Sequence, residues 1–245
     1  MKELEILKPG QRLRKIRKML GLRQEDIAGK NMSKNYISMF ENGRRRINII
    51  NATYLADVLN DKAREKGIEL NITASYFVKS EKDMVKDYCM DMLAELTQKE
   101  GISKEKTYKN LYQTIYLSKK YGLISILANS LKTKGDYLYR DGYYRCAIMH
   151  YSKSLIYFSK EEDKLGISNC YMAIGKSYFM DKNYEMAIAY FNLANPGNKD
   201  DDILYYKALS YYKLGNYEMA ASIMDKIIFK DERVLKLEDR IYSIS

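Results

Sequence analysis

The sequence predicts an all-α chain of two parts, a small basic N-terminal domain followed by a stack of helical hairpins. Three observations carry that prediction. Apolar residues recur at helical spacing through most of the chain, with only two prolines in 245 residues and very few strand-like alternations. The string Asn-Tyr-Glu-Met-Ala occurs twice, 33 residues apart, as a solenoid of stacked repeats requires. Positive charge is gathered at one end. Residues 1–66 hold 16 Lys and Arg against 8 Asp and Glu, a net of +8 out of +10, whereas the other 179 residues hold 26 against 24.

Pro9 suits the first turn of a helix, where its missing N–H loses nothing. Leu13, Ile16 and Leu20 then form one apolar stripe on a segment otherwise rich in Arg and Lys. Gly21 closes this helix, because glycine tolerates the left-handed position after a C-cap. From Gly21 to Gly43 the chain reads as two short helices joined by a tight turn. Ala28 is small where those helices approach. Ser33 is a natural N-cap, which leaves Lys34, Asn35 and Tyr36 to open the next helix facing outward. Ile37 and Phe40 turn inward, Asn42-Gly43 stops the helix, and Arg44, Arg45 and Arg46 follow.

A helix that presents polar side chains beside a cationic cluster is what reading bases from the major groove requires. The concentrated charge fits the phosphate neutralisation that dominates sequence-independent DNA affinity. A plain helical subdomain with a solvated polar face would not need the arginine cluster. A membrane-surface helix would carry its charge along one long face instead. Leu13, Arg17, Gly21-Leu22, Gln24, Ile27-Ala28, Ser33, Ile37-Ser38 and Glu41-Asn42-Gly43 together resemble the lambda-repressor-like helix-turn-helix domain. The resemblance implies that Lys34, Asn35 and Ser38 read bases, with Tyr36 and Met39 at the edges. It implies phosphate contacts from Gln24, Asn42 and Arg44–Arg46, and a structural pairing of Arg17 with Glu41.

The second part repeats itself. Gly135, Gly175 and Ala208 mark equivalent positions at steps of 40 and 33 residues, each followed by a Tyr/Phe-rich turn and then by Ala147, Ala187 or Ala220. Four residues past those alanines stand Tyr151, Phe191 and Met224. Small residues let paired helices approach, and the large ones fill the gap above them. The longer step is assigned to a longer turn through Lys160–Lys164. Val85, Tyr88, Met92 and Leu96, and then Tyr108, Leu111, Tyr112 and Ile115, suggest earlier, more degenerate helices. Val234, Leu237 and Ile241 suggest a capping helix, and Asp200-Asp201-Asp202 a helix start. The order and period resemble the tetratricopeptide repeat.

This gives a helix-turn-helix domain over 1–66, a linker over 67–80, and a repeat domain for ligand binding and dimerisation over 81–245. The combination resembles the RRNPP group of peptide-responsive transcription regulators, and the short Ala28–Glu41 interval favours that group over phage-type repressors. The resemblance implies a homodimer on a double-stranded DNA operator, with a short signalling peptide on the concave face of the repeats. Repeat phase places Asn129, Asn169 and Asp202 six residues before each marker, and Tyr139, Phe179 and Tyr212 four after it. Asparagine offers both a donor and an acceptor to a peptide bond. Alternatively Asn129 and Asn169 cap or bridge helices, and the repeats hold a protein partner of the antirepressor type.

Other classes find little support. No Gly-x-Gly-x-x-Gly, phosphate-binding loop or His-Glu-x-x-His motif is present, and no cofactor or metal is expected. The one histidine, His150, lies four residues after Cys146 with no third ligand or orienting acid at motif spacing, so no enzyme is expected. The three cysteines, Cys89, Cys146 and Cys170, suit reduced and mostly buried thiols. No secretory stretch opens the chain and no run of about eighteen apolar residues occurs, so a cytoplasmic protein is expected.

Overall fold

The structure, a computed structural model, describes residues 6–29, 32–98, 101, 103–194 and 200–243. Among them every regular element is helical. They form two compact units that divide between Tyr88 and Cys89.

The first unit comprises α1 (Pro9–Met19), a single 3-10 turn (Glu25–Ile27), α2 (Lys34–Glu41), α3 (Ile49–Glu65) and α4 (Ala74–Val78). Its core gathers Leu13, Ile27, Ile37, Phe40, Leu55, Leu59 and Phe77, all essentially inaccessible. α1 ends as expected. Gly21 has φ +65°, its N–H donates to Lys18 O at 2.9 Å, and Leu22 N–H donates to Arg17 O at 3.0 Å, a Schellman closure. Gly10 is needed for a different reason: a Cβ there would lie 1.9 Å from the carbonyl oxygen of Phe40, so only glycine lets α1 rest on the end of α2.

Two expectations need correction here. The first of the two short helices is only the three-residue turn Glu25–Ile27. Asp26 accepts from Arg23 N at 2.6 Å at its start, and Gly29 pairs with Met32 just past its end, leaving no room for a longer helix. The segment 67–80 is not a free linker. Phe77 is fully buried in the first core, with Leu70, Ile72 and Tyr76 packed against it. Asn60 bonds the backbone of Ile72 in both directions, at 2.8 and 3.1 Å. Arg12, 1% exposed, donates its guanidinium to the carbonyls of Tyr76 and Lys79 and so caps α4.

α5 (Glu81–Gln98) contains the division between the units. The second unit continues with α6 (Lys104–Lys120), α7 (Ile124–Arg140), α8 (Tyr144–Lys160), α9 (Lys164–Met180), α10 (Tyr184–Ala194), α11 (Asp201–Lys213), α12 (Tyr217–Met224) and α13 (Glu232–Tyr242). From α6 onward each helix packs on the next, and α7/α8, α9/α10 and α11/α12 are the three repeats read from the sequence. The small-over-large rule holds in detail. A Cβ on Gly135 would meet the Tyr151 ring at 2.5 Å, and one on Gly175 would meet the Phe191 ring at 2.6 Å. Val234, Leu237 and Ile241 bury one side of α13 against α11 and α12.

The 40-residue step arises elsewhere than expected. The turn between α8 and α9 is short, Glu161–Asp163, and the added length lies in α8, which has 17 residues against 11 in α10, and in α9, which starts 11 residues before Gly175 where α11 starts 7 before Ala208. Asp200 caps α11 by accepting from the N–H groups of Asp202 and Ile203. Cys89 and Cys170 are buried, but Cys146 is exposed.

Candidate nucleic-acid interface

α2 is placed by its two ends and its buried face. Ser33 accepts from Tyr36 N at 3.4 Å, and Gly43, at φ +68°, donates to Phe40 O at 3.0 Å. Ile37 and Phe40 are buried, which fixes the rotation of the helix. Lys34, Asn35, Tyr36, Met39 and Asn42 are therefore exposed together, with Ser38 half-buried between them. Arg44, Arg45 and Arg46 leave the helix end exposed. Arg45 lies over the Tyr36 ring at 4.3 Å, so one of the three arginines is held against the helix.

Beneath this row sits a charged anchor. Arg17 Nε and Nη2 grip Glu41 at 2.6 and 2.9 Å, and Arg17 Nη1 donates to Leu22 O at 2.7 Å. The hydrogen bond to Glu41 holds the Arg17 guanidinium above its ordinary pKa. The expected Arg17–Glu41 pairing is thus present in geometry. Gln24 joins it, donating its amide to Glu41 Oε2 at 2.9 Å, which turns toward the anchor a group that sequence reasoning had placed at a phosphate. Lys34 makes an exposed bond to Glu25 at 3.2 Å, and that bond is the main reason the Glu25 carboxyl lies below its usual range. Asn42 donates to Ser38 Oγ at 3.4 Å.

The repeat residues divide into two groups. Asn169 and Tyr139 line one cavity of about 320 Å³ together with Lys132, Asp136, Tyr151 and Lys176. Asp202 is tied to that wall through Lys176 at 2.7 Å. Burial pushes the Tyr139 hydroxyl up to about 12. Asn129 is exposed on the same helix as Tyr139, with its amide donating to Ser125 O at 2.9 Å. Phe179 and Tyr212 stand at hairpin turns, packed on Tyr184 and Tyr217 at 5.4 and 5.5 Å between ring centres. Tyr139 repeats this pairing with Tyr144 at 5.5 Å, so Phe179 and Tyr212 pack turns while Tyr139 both packs a turn and lines the cavity. Lys132, Asp136 and Lys176 were missed, although their steps of three and seven residues from Asn129 and Asn169 put them on the same helix faces. Among the described residues, no group of three or more His, Cys, Asp or Glu gathers as a metal site. Among them too, no helix is long and apolar enough to cross a membrane.

The family model described as helix-turn-helix domain matches residues 10–78. The N-terminal unit is a helix-turn-helix domain. The match runs through α4, in agreement with the burial of Phe77 in that domain's core. α2 occupies the place of the second helix of that motif. Among solved structures, Bacillus thuringiensis PlcR in complex with the peptide PapR7 and DNA is similar at 13% identity and a TM-score of 0.33, covering 97% of this chain and 98% of that one. No curated protein matches the chain.

Proposed function

We propose that the chain is a sequence-specific transcription regulator whose helix-turn-helix domain binds an operator and whose repeats receive a short signalling peptide. The observation that carries the DNA half is the exposed row Lys34, Asn35, Tyr36 and Met39 on a helix whose other face is locked by Ile37, Phe40 and Glu41. Lysine suits the O6 and N7 acceptors of guanine, and asparagine suits the N6/N7 edge of adenine. The three exposed arginines at the helix end suit phosphates at the groove edge. The peptide half rests on the cavity shared by Tyr139 and Asn169, where an amide, an aromatic edge and both signs of charge face one space.

An operator selected from random duplexes tests the reading. Asn35→Ala is expected to weaken the selected site by roughly 1–3 kcal/mol while leaving random DNA nearly unaffected. Replacing Arg44 and Arg46 with alanine is expected to weaken all sequences and flatten the plot of log affinity against log salt by about 0.9 per lost contact. Equal losses on operator and random DNA for Asn35→Ala refute base reading by this helix.

A further inference from the structure

A second cavity in the repeat unit is used by neither the recognition helix nor the Tyr139–Asn169 space. It holds about 410 Å³ between α6, α7 and α8, within the rough 300–1,000 Å³ range of small-molecule sites. Leu127 and Leu131 of α7 supply apolar wall. Into it reaches Lys134, a lysine only 8% exposed. Its Nζ lies 4.0 Å from the centre of the Tyr112 ring. Among the described residues no carboxylate lies within ion-pair distance of it. Beside it, His150 Nδ1 is buried without a hydrogen-bond partner. Lys119 and Lys153 line the same space.

Such an arrangement is costly unless something answers it. A buried ammonium is stabilised by an aromatic face only in part, and its N–H donors still want acceptors. A buried ring nitrogen without a partner adds to that cost. The close approach of α7 and α8 rests on a different pair, Gly135 against the Tyr151 ring. Lys134 and His150 both face a space whose remaining walls include leucine, isoleucine and tyrosine.

We propose that this cavity binds a small carboxylate with an apolar body, its head between Lys134 and His150 and its body against Leu127 and Leu131. The carboxylate would accept from Lys134 Nζ and from the Nδ1–H tautomer of His150, answering both unmet groups. Inorganic phosphate would leave the apolar wall bare, and a neutral alcohol would leave the lysine without a counter-ion. Burial, with Lys134 and Lys153 nearby, holds His150 down at about 4, so it is neutral and free to choose that tautomer before binding. A free aliphatic acid and the C-terminal residue of an apolar peptide share this chemistry.

His150 is the only histidine in the chain, so its ring proton is an unambiguous NMR reporter in the full-length protein. Octanoate and acetyl-Leu-Leu would be titrated in parallel with octan-1-ol and inorganic phosphate. Saturable shifts of the His150 signal with octanoate, with acetyl-Leu-Leu or with both are expected, at least tenfold tighter than with the alcohol or phosphate. The tighter of the two acids identifies the source. Lys134→Met is expected to weaken the acid at least tenfold. The alcohol matching the acids would make the cavity merely apolar, and phosphate matching them would make it a general basic patch. Either result overturns the proposal, as does undiminished acid binding by Lys134→Met. The wild-type comparison decides the matter even if that variant fails to fold.

Discussion

Glu41 shows how much one buried side chain can determine. Its carboxylate is 2% exposed and takes two donors from Arg17 and one from Gln24, so it joins α1, the turn before α2 and α2 itself. Removing one partner of a buried pair leaves the other charged and under-solvated, typically at a cost of about 3–5 kcal/mol. Arg17→Met is accordingly expected to destabilise the helix-turn-helix domain by about 3 kcal/mol in urea unfolding. Operator preference in the surviving folded fraction should be unchanged. A variant of native stability with altered base preference would assign Arg17 to recognition instead. His150 permits a second residue-level prediction. Its pKa falls from 6.5 to about 4 on folding, so the unfolded chain binds the proton first. The stability this contributes is complete above pH 6.5 and is lost as pH falls from 6.5 toward 4. His150→Gln should flatten that limb of the stability-versus-pH curve, and an unaltered limb would show that other groups titrate there.

At the level of elements, the sequence was most legible where the cause is local. Pro9, Gly21, Ser33, Gly43 and Asp200 each stand at the helix end their chemistry predicts, because caps and left-handed turns involve only a few neighbouring residues. Legibility failed where the cause is tertiary. The docking of residues 67–80 depends on Arg12, which local charge patterning marks as surface, and the long step between repeats hides in the lengths of α8 and α9. Repeat phase put Asn169 and Tyr139 on one face, where they line one cavity, but it could not tell a cavity-lining residue from one packing a turn. The turns themselves yield a test. Gly122, Gly142 and Gly215 have positive φ after α6, α7 and α11, but Glu162 and Lys182 hold φ of 54° and 62° after α8 and α9. A non-glycine residue costs roughly 1–2 kcal/mol in the left-handed helical region, offset in part by the greater unfolded-state freedom of glycine. Lys182→Gly is therefore expected to stabilise the repeat unit by about 0.5–1 kcal/mol, with Gly142→Ala destabilising it by a comparable amount. Both are read from thermal unfolding, and a loss of stability in Lys182→Gly would show that its side chain contributes more than its backbone costs.

For the whole molecule, the proposed reading of an operator by α2 alone would rest on a helix of only eight residues. Each base contact contributes only about 1–3 kcal/mol, so a monomer would discriminate weakly against the excess of random sites. A two-fold dimer doubles those contacts and implies two half-sites in inverted orientation. Footprints should accordingly show dyad-related protection, and isolating one half-site should weaken binding by more than about a hundredfold, given several contacts of that size. The proposed peptide signal needs a receiving surface in the repeats. Asn169 shares a cavity with Tyr139 and Lys176, whereas the amide of Asn129 is bonded within its own helix, so the two asparagines are not equivalent. Asn169→Ala is expected to fold normally yet lose the thermal stabilisation given by the peptide-sized fraction of culture medium, by roughly 1–3 kcal/mol for one unpaired amide partner. Asn129→Ala should lose less. Operator affinity without the fraction should be the same for both variants as for the wild type. If Asn169→Ala keeps the full response, the signal is received elsewhere or comes from a protein partner. If it melts the repeats, Asn169 is a strut between helices and the peptide reading of this face fails.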